Sequence, residues 1–314
     1  MKSSSFLKVA ALTASVAMIL VATTACSRGG GAEASNDKIV LALSTLNNPF
    51  FVELRDGAIA AAKDAKVQLN IVDAQNDSAT QANQLATAAS GNTKAVIVNP
   101  VDSDAAASAV NGLIKAGIPV IGVDRTVNGA SLASLVASDN VAGGRQAAAE
   151  LAKAMGGKGS VIHLQGVSGT SASRDRGTGF DEGIKAFPGI TVVAKQTANF
   201  DRAAALDVTT NLLQANPGVT GLFAENDEMA LGAIQALGGK AGTSVSVVGF
   251  DGTTDGLAAI KAGTLVATIA QQPAKLGRLA VELAVKAIKG KTIEKTVPVE
   301  VVAVTKANVG DFAK

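Results

Sequence analysis

The chain reads as an α/β protein made of two successive doubly wound lobes. Three observations lead there. From Lys38 onward, short apolar runs alternate with longer stretches of helical period. The short runs are rich in Val, Ile and Leu without polar alternation, as expected of strands buried on both faces of a parallel sheet. The rhythm then pauses at Ser138-Asp139-Asn140 and restarts, giving two units of similar size. A chain of 314 residues, 47% of them hydrophobic, is long enough for two domains with cores of their own.

In the first unit the strand-like runs are Ile39–Leu43, Val67–Val72, Ala95–Val98 and Pro119–Val123. Helical patterns lie between them at Val52–Ala65, Ala79–Ala89 and Ala105–Ala116, with Pro49 in the first turn of the first. Ser78 and Asp104 are the expected N-caps of the other two. After Leu132–Ala137 the second unit brings strand-like runs at Val161–Leu164, Thr191–Lys195, Thr220–Phe223, Val245–Gly249 and Val266–Ile269. Its helical patterns are Gly143–Met155, Arg174–Ala186, Ala203–Gln214, Glu228–Leu237 and Asp255–Ala262. A last helix, Leu276–Ile288, precedes one further strand-like run, Val297–Val302. Right-handed crossovers place the helices on both sheet faces.

The N-terminal stretch has a different character. Lys2 and Lys8, an apolar run from Val9 to Ala22 and the small residues before Cys26 read as a signal peptide over residues 1–25. The apolar run is too short to span a membrane. Cys26 is the only cysteine, so no internal disulfide can form. Its place after Ala25 resembles a bacterial lipoprotein signal, although Thr23 stands where Leu is usual; the reading makes Cys26 a lipidation site. Residues 26–37, with Gly29-Gly30-Gly31, read as a flexible tether to the membrane.

The loops that follow the strands carry the chemistry. They contain Ser44 to Phe51, Asn99 to Asp104, Asp124-Arg125, Arg174-Asp175-Arg176, Asn199-Phe200-Asp201, Glu225-Asn226-Asp227, Phe250-Asp251 and Gln271. In open parallel sheets ligands bind at this end of the strands. With no Trp or Tyr in the chain, Phe50, Phe51, Phe200 and Phe250 are the large flat surfaces available there. A carbohydrate has apolar faces and a rim of hydroxyls that both donate and accept. Asp accepts, Arg donates in a rigid fork, and Asn or Gln does both. A buried hydroxyl left unpaired costs ~1–3 kcal/mol, so such a site would discriminate between epimers.

Taken in order, these runs resemble the bacterial D-ribose-binding proteins, the periplasmic-type substrate-binding components of ABC sugar importers. The resemblance covers about Lys38 to Val304. It implies two Rossmann-like lobes joined by a three-crossover hinge: residues 38–137 with 272–298, and residues 138–271 with 299–314. It implies that Phe50 and Phe51 of one lobe and Phe200 of the other sandwich a sugar, with Phe250 more a packing residue. Asn48, Asp124 and Arg125 match hydrogen-bonding residues of the first lobe; Arg176, Asn226, Asp251 and Gln271 match those of the second lobe and hinge. Ser44 and Asn99 fall near the site. Glu225, Thr254 and Ser173 depart from the family pattern. The implied partners are D-ribose or a similar monosaccharide (allose, another pentose or hexose, a furanose-like signal), an ABC permease, and the membrane through the lipid. A monomer outside the cytoplasm is expected.

Other classes fit less well. Asp124 and Asp251 could be a glycosidase carboxylate pair, but each lies beside an Arg or an amide, which favours ionised acceptors. The single histidine, His163, lies inside a strand and suggests a structural role, leaving no Ser-His-Asp or Cys-His set. No His and Cys cluster suggests a metal. Gly166 to Gly169 lacks the spacing of a dinucleotide or P-loop fingerprint, so no cofactor is expected. A sugar-responsive repressor core shares the fold but would follow a helix-turn-helix. A net charge of +2, spread along the chain, gives no footprint for nucleic acid.

Overall fold

The computed structural model describes residues 37–312. Two six-stranded sheets organise them. The first contains β1 (Lys38–Leu43), β2 (Gln68–Asp73), β3 (Thr93–Val98), β4 (Val120–Val123), β5 (Ser134–Ser138) and, from late in the chain, β11 (Thr296–Val299). Their order is β11-β5-β4-β3-β1-β2, all parallel. The second contains β6 (Lys158–Gln165), β7 (Gly189–Thr197), β8 (Gly221–Ala224), β9 (Ser246–Asp251), β10 (Ala267–Ala270) and β12 (Val302–Thr305). Its order is β12-β10-β9-β8-β6-β7, parallel except that β12 runs against β10.

The uninterrupted apolar strands are explained by a core on each sheet face. In β1, Ile39, Leu41 and Leu43 join one core with Leu54 and Leu276, while Val40 and Ala42 join the other with Leu85 and Leu113. In β6, Ile162 and Leu164 face Met229, and Val161 faces Leu151 and Phe180. Each fully buried Leu, Ile, Val, Met or Phe among them contributes ~1.5–3 kcal/mol relative to exposure.

Helices α1 (Pro49–Ala65), α2 (Ser78–Ser90), α3 (Ala107–Lys115) and α9 (Pro273–Ile288) flank the first sheet. Helices α4 (Asn140–Ala154), α5 (Ser171–Ile184), α6 (Arg202–Ala215), α7 (Asp227–Leu237) and α8 (Thr254–Ala262) flank the second. Glycines set how closely some pairs approach. A Cβ on Gly277 of α9 would lie 2.0 Å from the Leu54 carbonyl of α1, and one on Gly144 of α4 would lie 2.2 Å from the Arg176 carbonyl of α5.

The chain passes between the sheets three times: from β5 to α4, from β10 to α9, and from β11 to β12. The last passage corrects the reading of Val297–Val302 as one strand. Glu300 and Val301 separate two strands that pair in different sheets, Val299 with Ser138 and Val302 with Ala270. Both expected caps also change. Asp77 rather than Ser78 caps α2, accepting from the Thr80 amide. Asp104 does not cap α3; Asp102 instead accepts from the amides of Asp104 and Ala105, which holds a turn ahead of the helix.

Candidate functional site

The carboxyl ends of both sheets meet around one small cavity. The lining residues are Asn48, Phe50, Phe51, Asp124 and Arg125 from the first lobe, with Ala172, Arg176, Phe200, Asn226, Asp251 and Gln271 from the second lobe and hinge.

Local structure aims each of these. Asn48 is the N-cap of α1; its Oδ1 accepts from the Phe50 amide at 2.9 Å, which leaves its Nδ2 for the cavity. Pro49 follows as the first helical residue and starts the turn that carries Phe50 and Phe51, edge to face at 5.1 Å. Asn47 points outward, its amide bonded to the Thr45 hydroxyl. Asn226 caps α7 through Met229 and donates to the Phe200 carbonyl at 3.3 Å. Asp124 (φ +64°) and Asp251 (φ +119°) both adopt left-handed backbone at the ends of β4 and β9. Such conformations cost ~1–3 kcal/mol at non-glycine residues and concentrate at functional sites. Phe200 (φ +58°) does the same in its turn.

The charged groups of the lining are fixed by protein partners. Arg125 donates to the Pro100 carbonyl at 3.0 Å and lies 3.5 Å from Asp124. Its guanidinium stands 5.3 Å from the Phe51 ring centre and 5.5 Å from that of Phe200. Arg176 donates to Asn140 Oδ1 at 2.9 Å and to the Glu225 carbonyl at 2.6 Å, with Asp251 at 3.5 Å. Arg174 turns outward to the Gly169 carbonyl. Gln271 donates to Asp251 at 2.7 Å.

Burial pushes the Asp251 carboxyl well above the usual carboxylate range, against the pull of Arg176. Burial also raises Asp124, opposed by Arg125, Arg176 and Asn99. Burial pushes Arg125 down to about 10, while Asp124 holds it up. At both acids burial thus outweighs the pull of the guanidiniums, which corrects the expectation that a neighbouring Arg or amide keeps them ordinary ionised acceptors. Three buried atoms here keep no hydrogen-bond partner among the described residues: Asp124 Oδ1, Arg125 Nε and Gln271 Oε1. They present acceptor, donor and acceptor around one space, a pattern that hydroxyl groups can satisfy.

Ser44, Asn99 and Phe250 do not line the cavity but stand one layer behind it. The Ser44 hydroxyl donates to Asn99 Oδ1 at 2.6 Å, and Asn99 Nδ2 donates to Asp124 at 3.1 Å. Phe250 is fully buried beneath Arg176. Sequence reasoning missed Ala172, which carries no polar signal, and Asn140, read only as a break between units. It also missed the contacts that join the lobes. The Ser103 amide donates to the Gly169 carbonyl at 2.9 Å, the Ser171 amide to the Ser103 hydroxyl at 3.2 Å, and the Thr126 amide to the Ser171 hydroxyl at 3.0 Å. Among the described residues no cluster of His, Cys, Asp and Glu could hold a metal, and no helix is long and apolar enough to cross a membrane.

Comparison with known proteins gives concordant matches. The periplasmic binding protein domain matches residues 39–292. The ribose import binding protein of Salmonella typhimurium is 45% identical over 288 residues, covering 91% of this chain and 97% of that protein. A xylitol-binding protein of Mycolicibacterium smegmatis is 36% identical, covering 96% and 86%. The crystal structure of an ABC transporter periplasmic solute-binding protein from Actinobacillus succinogenes with bound D-allose superposes with a TM-score of 0.83 at 34% identity, covering 88% of this chain and all of that one.

Proposed function

The chain belongs to the periplasmic binding protein family, and we propose that it captures D-ribose between its lobes and hands it to the permease of an ABC importer. It is a binding protein and not an enzyme. The observation that carries the sugar reading is the set of unpartnered buried atoms on Asp124, Arg125 and Gln271, in a cavity that the rings of Phe51 and Phe200 also line. Rings cover the apolar faces of a sugar, and the open donor and acceptors take its hydroxyls. The similarity to ribose import binding proteins favours ribose among the monosaccharides. A second reading keeps the class and changes the ligand: relatives of 36% and 34% identity carry the names of xylitol and D-allose.

In this reading Asn48, Phe50, Phe51, Asp124 and Arg125 bind from the lobe of residues 38–137 with 272–298. Arg176, Phe200, Asn226, Asp251 and Gln271 bind from the lobe of residues 138–271 with 299–314, although Ser138 and Val299 at its bounds pair in the first sheet. A ligand touching both lobes binds the closed form better than the open one, so it shifts the population towards closure. The permease then recognises the closed form and takes the sugar as the lobes part. Residues 1–36 lie outside the described residues. For them we propose a signal peptide, a lipid on Cys26 and a tether that keeps a monomeric carrier at the outer face of the membrane. Replacing Cys26 by Ala should move the protein from the membrane fraction to the soluble one.

Calorimetric titration with ribose, arabinose, xylose, allose, glucose, galactose and xylitol tests the assignment. Ribose should bind most tightly. Tighter binding of another member of the set would move the ligand assignment to that molecule and leave the class intact.

A further inference from the structure

Behind the cavity wall lies a buried polar cluster that sugar contact does not use. Glu225, just past the end of β8, is fully buried. Its Oε2 accepts from the Gly166 amide at 2.7 Å and from the Ser173 hydroxyl. Its Oε1 lies 2.9 Å from Nε2 of His163, the only histidine in the chain. His163 is buried too, its ring centre 5.1 Å from that of Phe180 and 5.0 Å from that of Phe223. His163 Nδ1 has no partner among the described residues. A neutral ring therefore carries its proton on Nε2, where it donates to Glu225.

Two walls of the cavity depend on this one residue. Gly166 lies against the Phe200 ring so closely that a Cβ there would stand 2.0 Å from it. The height of the Gly166 loop thus sets the position of Phe200, and the loop is tied through its amide to Glu225 Oε2. The Glu225 main-chain oxygen in turn accepts the 2.6 Å bond from Arg176. We propose that Glu225 is a positioning residue for the cavity, registering Phe200 and Arg176 to one another from behind. The effect on sugar affinity rests on the function proposed above; the positioning itself does not.

The two oxygens have separable duties. Removing Oε2 leaves the Gly166 amide and the Ser173 hydroxyl without that acceptor in a buried place, so the loop should relax towards water. A glutamine keeps one oxygen, which can stay on Gly166 and Ser173. Its amide then faces His163 Nε2, which must accept, so the ring proton moves to Nδ1. Glu225→Gln should therefore preserve the wall while switching the histidine tautomer, and Glu225→Ala should release the wall.

The experiment is nuclear magnetic resonance of the full chain, read at the Gly166 amide and the single imidazole, together with ribose titration. In the unsubstituted protein the Gly166 amide should be protected from hydrogen exchange, with the His163 proton on Nε2. E225Q should keep that protection, move the proton to Nδ1 and hold ribose affinity within about threefold. E225A should lose the protection and weaken ribose by about tenfold or more. Protection retained in E225A, or E225Q losing as much affinity as E225A, overturns the proposal. Should E225A fail to fold, E225Q decides: lost Gly166 protection or an unmoved His163 proton overturns it. Should the unsubstituted protein bind no sugar, the proposed function fails, while the exchange and tautomer readings still decide the positioning.

Discussion

The Arg176 guanidinium lies 3.9 Å from the centre of the Phe250 ring. Phe250 is fully buried, so the ring is a fixed floor and the guanidinium above it is desolvated. Cation–π attraction is worth ~2 kcal/mol or more in such surroundings. The Asn140 side chain and the Glu225 carbonyl take two of the Arg176 donors, and the Asp251 carboxyl lies at ion-pair distance. R176A should weaken ribose by about 100-fold or more, because it removes a charged donor and leaves Asp251 buried without it. R176K should not restore binding, since an ammonium cannot reproduce the planar fork or its stacking. Titration calorimetry of both variants checks this; affinity unchanged in R176A would mean that the cavity is not the binding site.

Closure of the lobes should depend on Gly169. A Cβ there would come within 1.6 Å of the Asp102 carboxylate across the cleft. Asp102 cannot simply swing aside, because its carboxylate accepts from the Asp104 and Ala105 amides. The backbone of Gly169 is compatible with alanine, so the clash belongs to closure and not to folding. G169A should leave the thermal midpoint of the ligand-free protein nearly unchanged and weaken ribose by about tenfold. Small-angle scattering should show a less compact sugar-bound form than in the unsubstituted protein.

The candidate cavity was legible in the sequence because polar residues stand out where apolar strands end. Asp124 follows Val120–Val123 and Asp251 follows Val247–Phe250, so pattern alone flagged them. The contacts behind and across the cavity were not legible. Ser103 and Ser171 are ordinary loop serines until the lobes meet. Ser173 and Glu225 were visible only as separate departures from the family pattern; their contact joins residues 52 apart, which only the fold brings together. Val297–Val302 hides a change of sheet because both of its halves are apolar and strand-forming. Asp77 and Ser78 are both good caps, and one residue of phase in α2 decides between them.

The approach of α4 to α5 should be intolerant of even one methyl group. A Cβ on Gly144 would lie 2.2 Å from the Arg176 carbonyl and 2.6 Å from the Phe180 amide nitrogen. These are main-chain atoms of a neighbouring helix, so the helices must separate. G144A should destabilise the fold by ~1–3 kcal/mol, measured by urea unfolding. Since the displaced carbonyl belongs to Arg176, ribose affinity should fall as well. A neutral G144A would show that the two helices can slide apart freely.

Asp227 should give the protein a stability that declines with rising pH. It is fully buried next to the candidate site, and burial pushes its carboxyl up to about 6 from 3.8. Hydrogen bonds from Thr268 and from the amide and hydroxyl of Thr253 oppose that shift without cancelling it. The folded state therefore holds a proton that the unfolded chain has released between those two values. Its contribution is complete below 3.8, shrinks as pH rises towards 6, and is gone above. The shift corresponds to about 3 kcal/mol at most. Asp124 and Asp251, also raised by burial, act in the same direction. The informative quantity is thus the difference between the unsubstituted protein and D227N. Asparagine fits the same space, keeps an oxygen for the Thr253 amide, and lets the two threonine hydroxyls reorient. Urea unfolding from pH 4 to 7 should show the unsubstituted protein losing stability relative to D227N up to about pH 6, then a constant difference. Parallel curves across that range would mean that Asp227 is ionised in the fold throughout, its three hydrogen bonds outweighing its burial.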